Sequence, residues 1–288
     1  MTFSIVAWDP DASPSPEWGV AVASKFLAVG VAVPWARAGA GAVATQALAN
    51  LSFGPDGLDA LASGRSASDV VGTLTGADPE SAHRQLGIVD AQGRAGSFTG
   101  DECFEWAGGV TGNGLTCQGN ILTGPDVVHG MVDAFESASG DLATRLVAAL
   151  RAGDVAGGDR RGRQSAALLV VRDRAGYGGA NDRFIDLRID DHEGPIPELE
   201  RVLELQRLYF PRSSELEFID IDAALAGRLR ALLRHLGYDA GDSGDAYDDR
   251  LKQTLFAFVG TENLEERWTD ETQIEKGVLD FLSARAKD

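Results

Sequence analysis

The sequence predicts an α+β chain in which two antiparallel sheets stack face to face, helices cover their outer faces, and a small all-α domain follows. Three observations carry this expectation. Short runs such as Phe3, Ile5 and Ala7 against Thr2, Ser4 and Val6 alternate with a period of two, the mark of strands with a buried face. The elements come in the order strands, two helices, strands, two helices, strands, which suits stacked antiparallel sheets. Beyond about residue 200 the apolar spacing is helical throughout. With 288 residues the chain can bury a sizeable core. The turn-rich stretch His192 to Pro197 divides it into a sandwich over 1–195 and a helical linker and module over 196–288.

Each element has its own signal. After the first strand, Asp9 to Pro16 is a turn rich in Asp, Ser and Pro, and Gly19–Ser24 returns as its hairpin partner. Small residues dominate from Gly30 through Gly41 to Ala47, as expected for strands whose backbones approach closely. Leu58, Leu61 and Ala62 mark one short helix. Val70, Val71 and Leu74 mark a second, opened by the approximate capping box Ser66-x-x-Asp69. Leu86–Asp90, the turn Gln92-Gly93 and Ala95–Thr99 form a hairpin, and Leu115–Gly119 is another strand. Pro125 starts a helix with Val128, Met131, Val132 and Phe135 on one face. Leu142, Leu146, Val147 and Leu150 mark the next, with Gly153 as its expected stop. Ser165–Val171 and Phe184–Ile189 close the sandwich. The tail predicts four helices, around Leu199 to Gln206, Leu225 to Leu236 (ended by Gly237), Leu251 to Val259, and Ile274 to Leu282.

Composition narrows the function. A net charge of -18 argues against nucleic acid, which needs a basic footprint, and against anionic membrane surfaces. No run of apolar residues is long enough for a membrane span, and the start has no basic segment followed by an apolar one. A cytoplasmic protein is expected. Cys103 and Cys117 match no metal-ligand spacing and are expected as buried thiols, so neither a metal nor a cofactor is predicted. His83, His129, His192 and His235 are not paired with Ser or Cys at motif spacing and are expected to be structural.

Three places could carry chemistry. Thr2 follows the initiator methionine. Were Met1 removed, one residue would hold a hydroxyl nucleophile and a free α-amine base. The run Gly157-Gly158-Asp159-Arg160-Arg161-Gly162-Arg163-Gln164-Ser165 packs three arginines among glycines in an otherwise acidic chain. Arg offers planar bidentate donors for a carboxylate or phosphate, and Gly exposes backbone N–H groups; a solvated surface loop is the competing account. Gln118-Gly119-Asn120 ends a strand, so Asn120 could donate to an oxyanion or cap a turn. Thr45-Gln46-Ala47 with Asn50 forms a similar strand-end cluster, again with turn structure as the alternative.

Together these runs resemble the family called domain of unknown function 1028, an Ntn-hydrolase-like (N-terminal nucleophile) family, over roughly residues 2 to 190. The resemblance rests on Thr2–Ala7, Gly19–Ser24, Val33-Pro34-Trp35-Ala36, Ala42–Ala47, Arg84-Gln85, Gln118-Gly119-Asn120 and above all Gly157–Ala167. It implies an αββα sandwich and, by analogy, amide hydrolysis. In Ntn hydrolases generally the first residue of the mature chain attacks an amide carbonyl while its own α-amine shuttles the proton. Such an amine has a pKa of about 7.7–8.0 and is a usable base near neutrality. Thr2 matches that position. The tail resembles the small helical peptidoglycan-binding type of module, through Leu232–Tyr238, Asp245-Ala246-Tyr247 and Leu251–Phe258. An interaction or dimerisation role also suits it, and a homodimer is compatible with the sequence.

The resulting expectation is a cytoplasmic Ntn-type amidohydrolase acting on a small, anionic amide. Thr2 is the nucleophile and base, and Gln46 or Asn120 the oxyanion donor. Arg160, Arg161 or Arg163 holds a carboxylate, and Ser24, Asn50, Asp159, Gln164 and Ser165 complete the substrate site. The alternative is a non-catalytic protein that binds an anionic small molecule on the same scaffold. A third reading moves the nucleophile to Ser24 or Ser165.

Overall fold

A computed structural model describes residues 2–241 and 244–287, and the chain divides into two compact units, 1–202 and 203–288. The division falls inside a helix, a few residues past the Gly194-Pro195 turn. The first unit contains β1 (Thr2–Asp9), β2 (Glu17–Ser24), β3 (Pro34–Arg37), β4 (Gly41–Ala47), α1 (Phe53–Ala62) and α2 (Ala67–Ala77). It continues with β5 (Arg84–Asp90), β6 (Ala95–Thr99), β7 (Gly108–Gly112), β8 (Leu115–Asn120), α3 (Asp126–Ser137), α4 (Leu142–Val155), β9 (Ser165–Val171) and β10 (Arg183–Ile189). Helix α5 (Pro195–Tyr209) begins in this unit.

Every strand pairing is antiparallel. One sheet has the order β10-β9-β2-β1-β8-β7, the other β3-β4-β5-β6. Strand alternation decides what lies between them. Val6, Val20, Val22, Ala167 and Leu169 of the first sheet bury against Ala42, Ala44 and Val89 of the second. The opposite face of the second sheet, with Val43, Leu86 and Ile88, is covered by Phe53, Leu58 and Leu61 of α1 and by Val70 and Val71 of α2. Helix α4 covers the first sheet so closely that a Cβ on Gly19 would stand 2.5 Å from Leu146. Each fully buried aliphatic side chain contributes about 1.5–3 kcal/mol, so these three apolar layers hold the sandwich together. The expected αββα arrangement is therefore present.

Details differ from the sequence expectation. Gly153 does not stop α4 but lies within it, where a Cβ would come within 2.8 Å of Met131 and 3.3 Å of Phe3. It is there for close packing. Ser66 caps α2 as expected, its hydroxyl accepting from Asp69 N–H. β7, a Gly-rich edge strand, has no apolar alternation and was not foreseen.

The second unit contains β11 (Phe218–Asp220), α6 (Ala223–His235), α7 (Asp249–Thr261), β12 (Gln273–Glu275) and α8 (Lys276–Arg285). Leu229, Leu233, Leu251, Leu255, Phe258, Val278 and Leu282 form its core. Gly237 follows α6 with a φ of 85°, as expected for a helix stop. The unit is not all helical, because β11 and β12 pair, and Ile274 belongs to β12 rather than to the last helix.

Candidate functional site

Strand pairing gathers polar residues at one end of the layer between the sheets. β1 lies between β2 and β8, with Phe3 opposite Ala23 and Thr2 opposite Asn120. Even positions of β1 face the second sheet, so Thr2 and Ser4 enter the layer that Val6 shares with the apolar core. Gln46 of β4 and Gln85 of β5 are register partners on the facing sheet. Thr2, Ser4, Ser24, Gln46, Gln85, Gln118 and Asn120 are all buried.

Buried amides must find partners, and here they find one another. Ser4 Oγ donates to Gln46 Oε1 (2.7 Å) and accepts from Gln118 Nε2 (2.7 Å). Gln46 Nε2 donates to Gln85 Oε1 (2.8 Å) and to the Gln118 carbonyl (3.3 Å). Gln85 Oε1 also accepts from Asn120 Nδ2 (2.9 Å), while Gln85 Nε2 donates to Thr99 Oγ1 (2.9 Å) and the Gly119 carbonyl (2.7 Å). Thr2 Oγ1 lies 3.2 Å from Ser24 Oγ. An amide nitrogen has two N–H groups. Those of Gln46 are engaged, whereas Asn120 Nδ2 commits one to Gln85 and has no second partner among the described residues. Of the two expected oxyanion donors, only Asn120 has an N–H to offer among the described residues.

The backbone is strained where this cluster ends. Ala47 (φ 67°) and Ile121 (φ 53°), the residues directly after Gln46 and Asn120, both occupy the left-handed region. A β-branched residue there costs on the order of 1–3 kcal/mol, and such strain persists only where surrounding bonds fix it. For Ile121 those bonds are its N–H to the Phe104 carbonyl (2.9 Å) and its carbonyl to the Arg160 N–H (3.2 Å).

The arginine loop forms a different place. Two of its three cations are neutralised: Arg161 pairs with Asp159 (3.1 Å), and Arg163 with Asp154 (2.6 Å), which raises the Arg163 pKa. Asp159 is buried and also accepts from the N–H of Lys25 (2.8 Å), tying the loop to the end of β2. Gln164 donates to Asp191 (3.0 Å) and its N–H to the Ser24 carbonyl (3.1 Å). The loop thus spends its acids and several of its N–H groups on its own shape. Arg160 has no carboxylate partner among the described residues. It lines an open cleft of about 410 Å³ with Thr123, Asp154, Asp159, Arg163 and Glu193, and neither Thr2, Gln46 nor Asn120 reaches that cleft.

The remaining expected site residues are fasteners. Ser165 Oγ donates to the Phe26 carbonyl and accepts from Val29 N–H (3.1 Å), so its hydroxyl proton is committed. Asn50 donates to Asp78 (2.9 Å), accepts from Ser52 N–H (3.1 Å) and gives its carbonyl to Thr45 Oγ1 (3.0 Å). Asp78 also receives Arg84 Nε (2.9 Å); that bond first, then Asn50 and the Glu80 N–H, holds its pKa down at about 2. The sequence reading did not single out Ser4 or Gln85 as site residues. Their signal is a polar side chain at alternate positions of strands that are otherwise apolar on both faces.

Stacked antiparallel sheets enclosed by helices, with a polar cluster at the end of the central strand, define the class of protein. The chain belongs to the family of unknown function DUF1028, whose model matches residues 2–199. A crystal structure of a protein of that family from Silicibacter pomeroyi is similar. It is 34% identical with a TM-score of 0.65, and the match covers 72% of this chain and 86% of that one. Residues 215–282 match a second model, described as "Putative peptidoglycan binding domain". No curated protein matches the chain. No helix among the described residues is long and apolar enough to cross a membrane.

Proposed function

We propose that the first unit is an Ntn-type amidohydrolase that cleaves the C–N bond of a small, anionic amide. The observation that carries this is Thr2 at the head of the central strand, its hydroxyl 3.2 Å from Ser24 Oγ and its register partner Asn120 holding a spare N–H. Thr2 Oγ attacks the amide carbonyl and its proton passes to the α-amine of Thr2. The oxyanion is met by the free N–H of Asn120. Collapse breaks the C–N bond, the leaving amine takes the proton, and a threonyl ester remains. Water, losing a proton to the same α-amine, hydrolyses the ester and restores Thr2. Gln46 acts as a positioning residue, holding Gln85, which holds Asn120. Arg160, which has no carboxylate partner among the described residues, would meet the negative charge of a substrate that extends from Thr2 into the separate arginine-loop cleft.

The chemistry requires Thr2 to be the first residue of the mature protein. Intact-mass measurement on protein from its native host should show the loss of one methionine. On a panel of N-acyl amino acids, Thr2→Ser should retain turnover and Thr2→Ala should lose at least about a thousand-fold in kcat. Retention of Met1 in active protein, or full turnover by Thr2→Ala, overturns the reading. The second reading, a non-catalytic receptor for an anionic molecule, is favoured by the separation of the Arg160 cleft from Thr2. In that case Thr2→Ala leaves the thermal shift by dicarboxylates intact and Arg160→Ala removes it. For the second unit, the match to the peptidoglycan-binding model supports a role in holding the protein on a cell-wall polymer.

A further inference from the structure

The outer face of α7 carries Asp249, Lys252, Gln253 and Phe256, the spacing i, i+3, i+4, i+7 that places four side chains in one stripe. Opposite the stripe stand Trp268 and Asp270, and the two sides enclose a cleft of about 440 Å³. That volume lies within the range of small-molecule sites. The rings of Phe256 and Trp268 pack with centroids 5.0 Å apart, yet Phe256 remains 51% exposed. The fold's core does not require this ring outside. Lys252 is paired with Asp270 (3.4 Å), and the Trp268 indole N–H reaches the same carboxylate (3.4 Å). The side chains of Asp249 and Gln253 are exposed and have no hydrogen-bond partner among the described residues.

We propose that this cleft binds a neutral saccharide chain, one pyranose ring lying on Phe256 with its edge against the tilted Trp268 ring. A pyranose presents an apolar C–H face, which matches an exposed aromatic floor, and a rim of hydroxyls. Hydroxyls donating to the Asp249 carboxylate form charge-assisted bonds, and the Gln253 amide can pair with an acetamido group. The side chains of the cleft carry one net negative charge, from Asp249, Lys252 and Asp270, on a chain of net charge -18, which disfavours acidic polymers. The proposal deepens the cell-wall reading of the second unit by naming the place and the chemistry, and it does not depend on Thr2.

The test uses the full chain and two probes. Tryptophan emission is followed while a linear N-acetylglucosamine trimer is added, and co-sedimentation is measured with purified peptidoglycan sacculi. Saturable binding of the trimer is expected. Phe256→Ala should lower its association constant about ten-fold or more, and the isosteric Asp249→Asn about three-fold or more. Raising salt from about 50 to about 500 mM should change affinity less than about two-fold, as for a neutral ligand. Circular dichroism confirms that each variant is folded, and Asp249→Asn keeps the test intact if Phe256→Ala is not. Trimer binding lost in the variants while sacculi are ignored would support the cleft and sink the cell-wall reading. Sacculi bound equally by wild type and Phe256→Ala would do the reverse. An absence of trimer binding overturns the proposal. So does a preference for an oligolysine peptide that collapses with salt, because the cleft would then be a cation site.

Discussion

Replacing Gln85 with leucine tests the polar cluster directly. Gln85 is fully buried, and its amide accepts from Gln46 and Asn120 while donating to Thr99 and to the Gly119 carbonyl. Leucine fills a similar volume but leaves these groups behind. Gln46 Nε2 keeps its longer bond to the Gln118 carbonyl, whereas the Asn120 N–H and the buried Gly119 carbonyl lose a partner they cannot replace with bulk water. An orphaned buried group costs about 1–3 kcal/mol, so the two together predict a loss of about 3 kcal/mol or more. For a unit of this size that is a fall of about 6–12 °C in Tm. Calorimetry of the full chain, following the transition of the larger unit, measures it. Gln85→Glu should be at least as damaging, because it keeps the acceptor but sets a buried carboxylate against the Gly119 carbonyl. A loss below about 1 kcal/mol for Gln85→Leu would mean that water already satisfies these groups and that the cluster is not the sealed network described above.

Two further outcomes follow from titratable groups. Asp78 has a folded pKa of about 2, below its ordinary 3.8, owing first to Arg84. A depressed carboxylate stabilises the fold fully above its unfolded pKa, and that stability is lost as pH falls through the folded value. The stability difference between wild type and Asp78→Asn should be constant above about pH 5 and shrink between about pH 4 and 2; acid titrations of both proteins check this, and parallel curves would refute it. Burial pushes the Cys117 thiol far up, and the same cause, more weakly, raises that of the half-buried Cys103. An aromatic disulfide reagent at pH 8 should therefore modify Cys103 slowly and reach Cys117 only after unfolding. Reaction of both thiols in the native protein would contradict this burial.

The sandwich was legible in the sequence because its driving force is periodic. Phe3, Ile5 and Ala7 must face one way and Val6 the other, and helices with apolar stripes must cover what remains. Elements without that periodicity were not legible. β7 is Gly108-Gly109-Val110-Thr111-Gly112, an edge strand held by its ladder rather than by burial, and β11 and β12 are three residues each, too short to show a period. Gly153 misled because a glycine that ends a helix and a glycine that admits a neighbour look the same in one dimension. In the candidate site, Thr2, Gln46 and Asn120 were named from their strand-end positions, and the structure brings them to one end of the layer between the sheets. The division of labour between them depends on which N–H is already taken, and pairing across two sheets decides that. The internal pairing of the arginine loop was hidden for the same reason: Asp154 and Asp159 sit close in sequence, but only folding sets them on Arg163 and Arg161.

Gly87 of β5 faces Gln118 across the two sheets, and a Cβ there would stand 2.1 Å from the Gln118 Oε1. The gap between the sheets at this end is therefore gauged by an amide lying flat on bare backbone. Positions 87 and 118 act as a single allotment of space. A methyl at the first would have to push the Gln118 amide out of its place. Moving it would break its bond to Ser4 and slacken the chain of amides that reaches Asn120. A hydrogen atom in the middle of one strand thus fixes the aperture at the head of another.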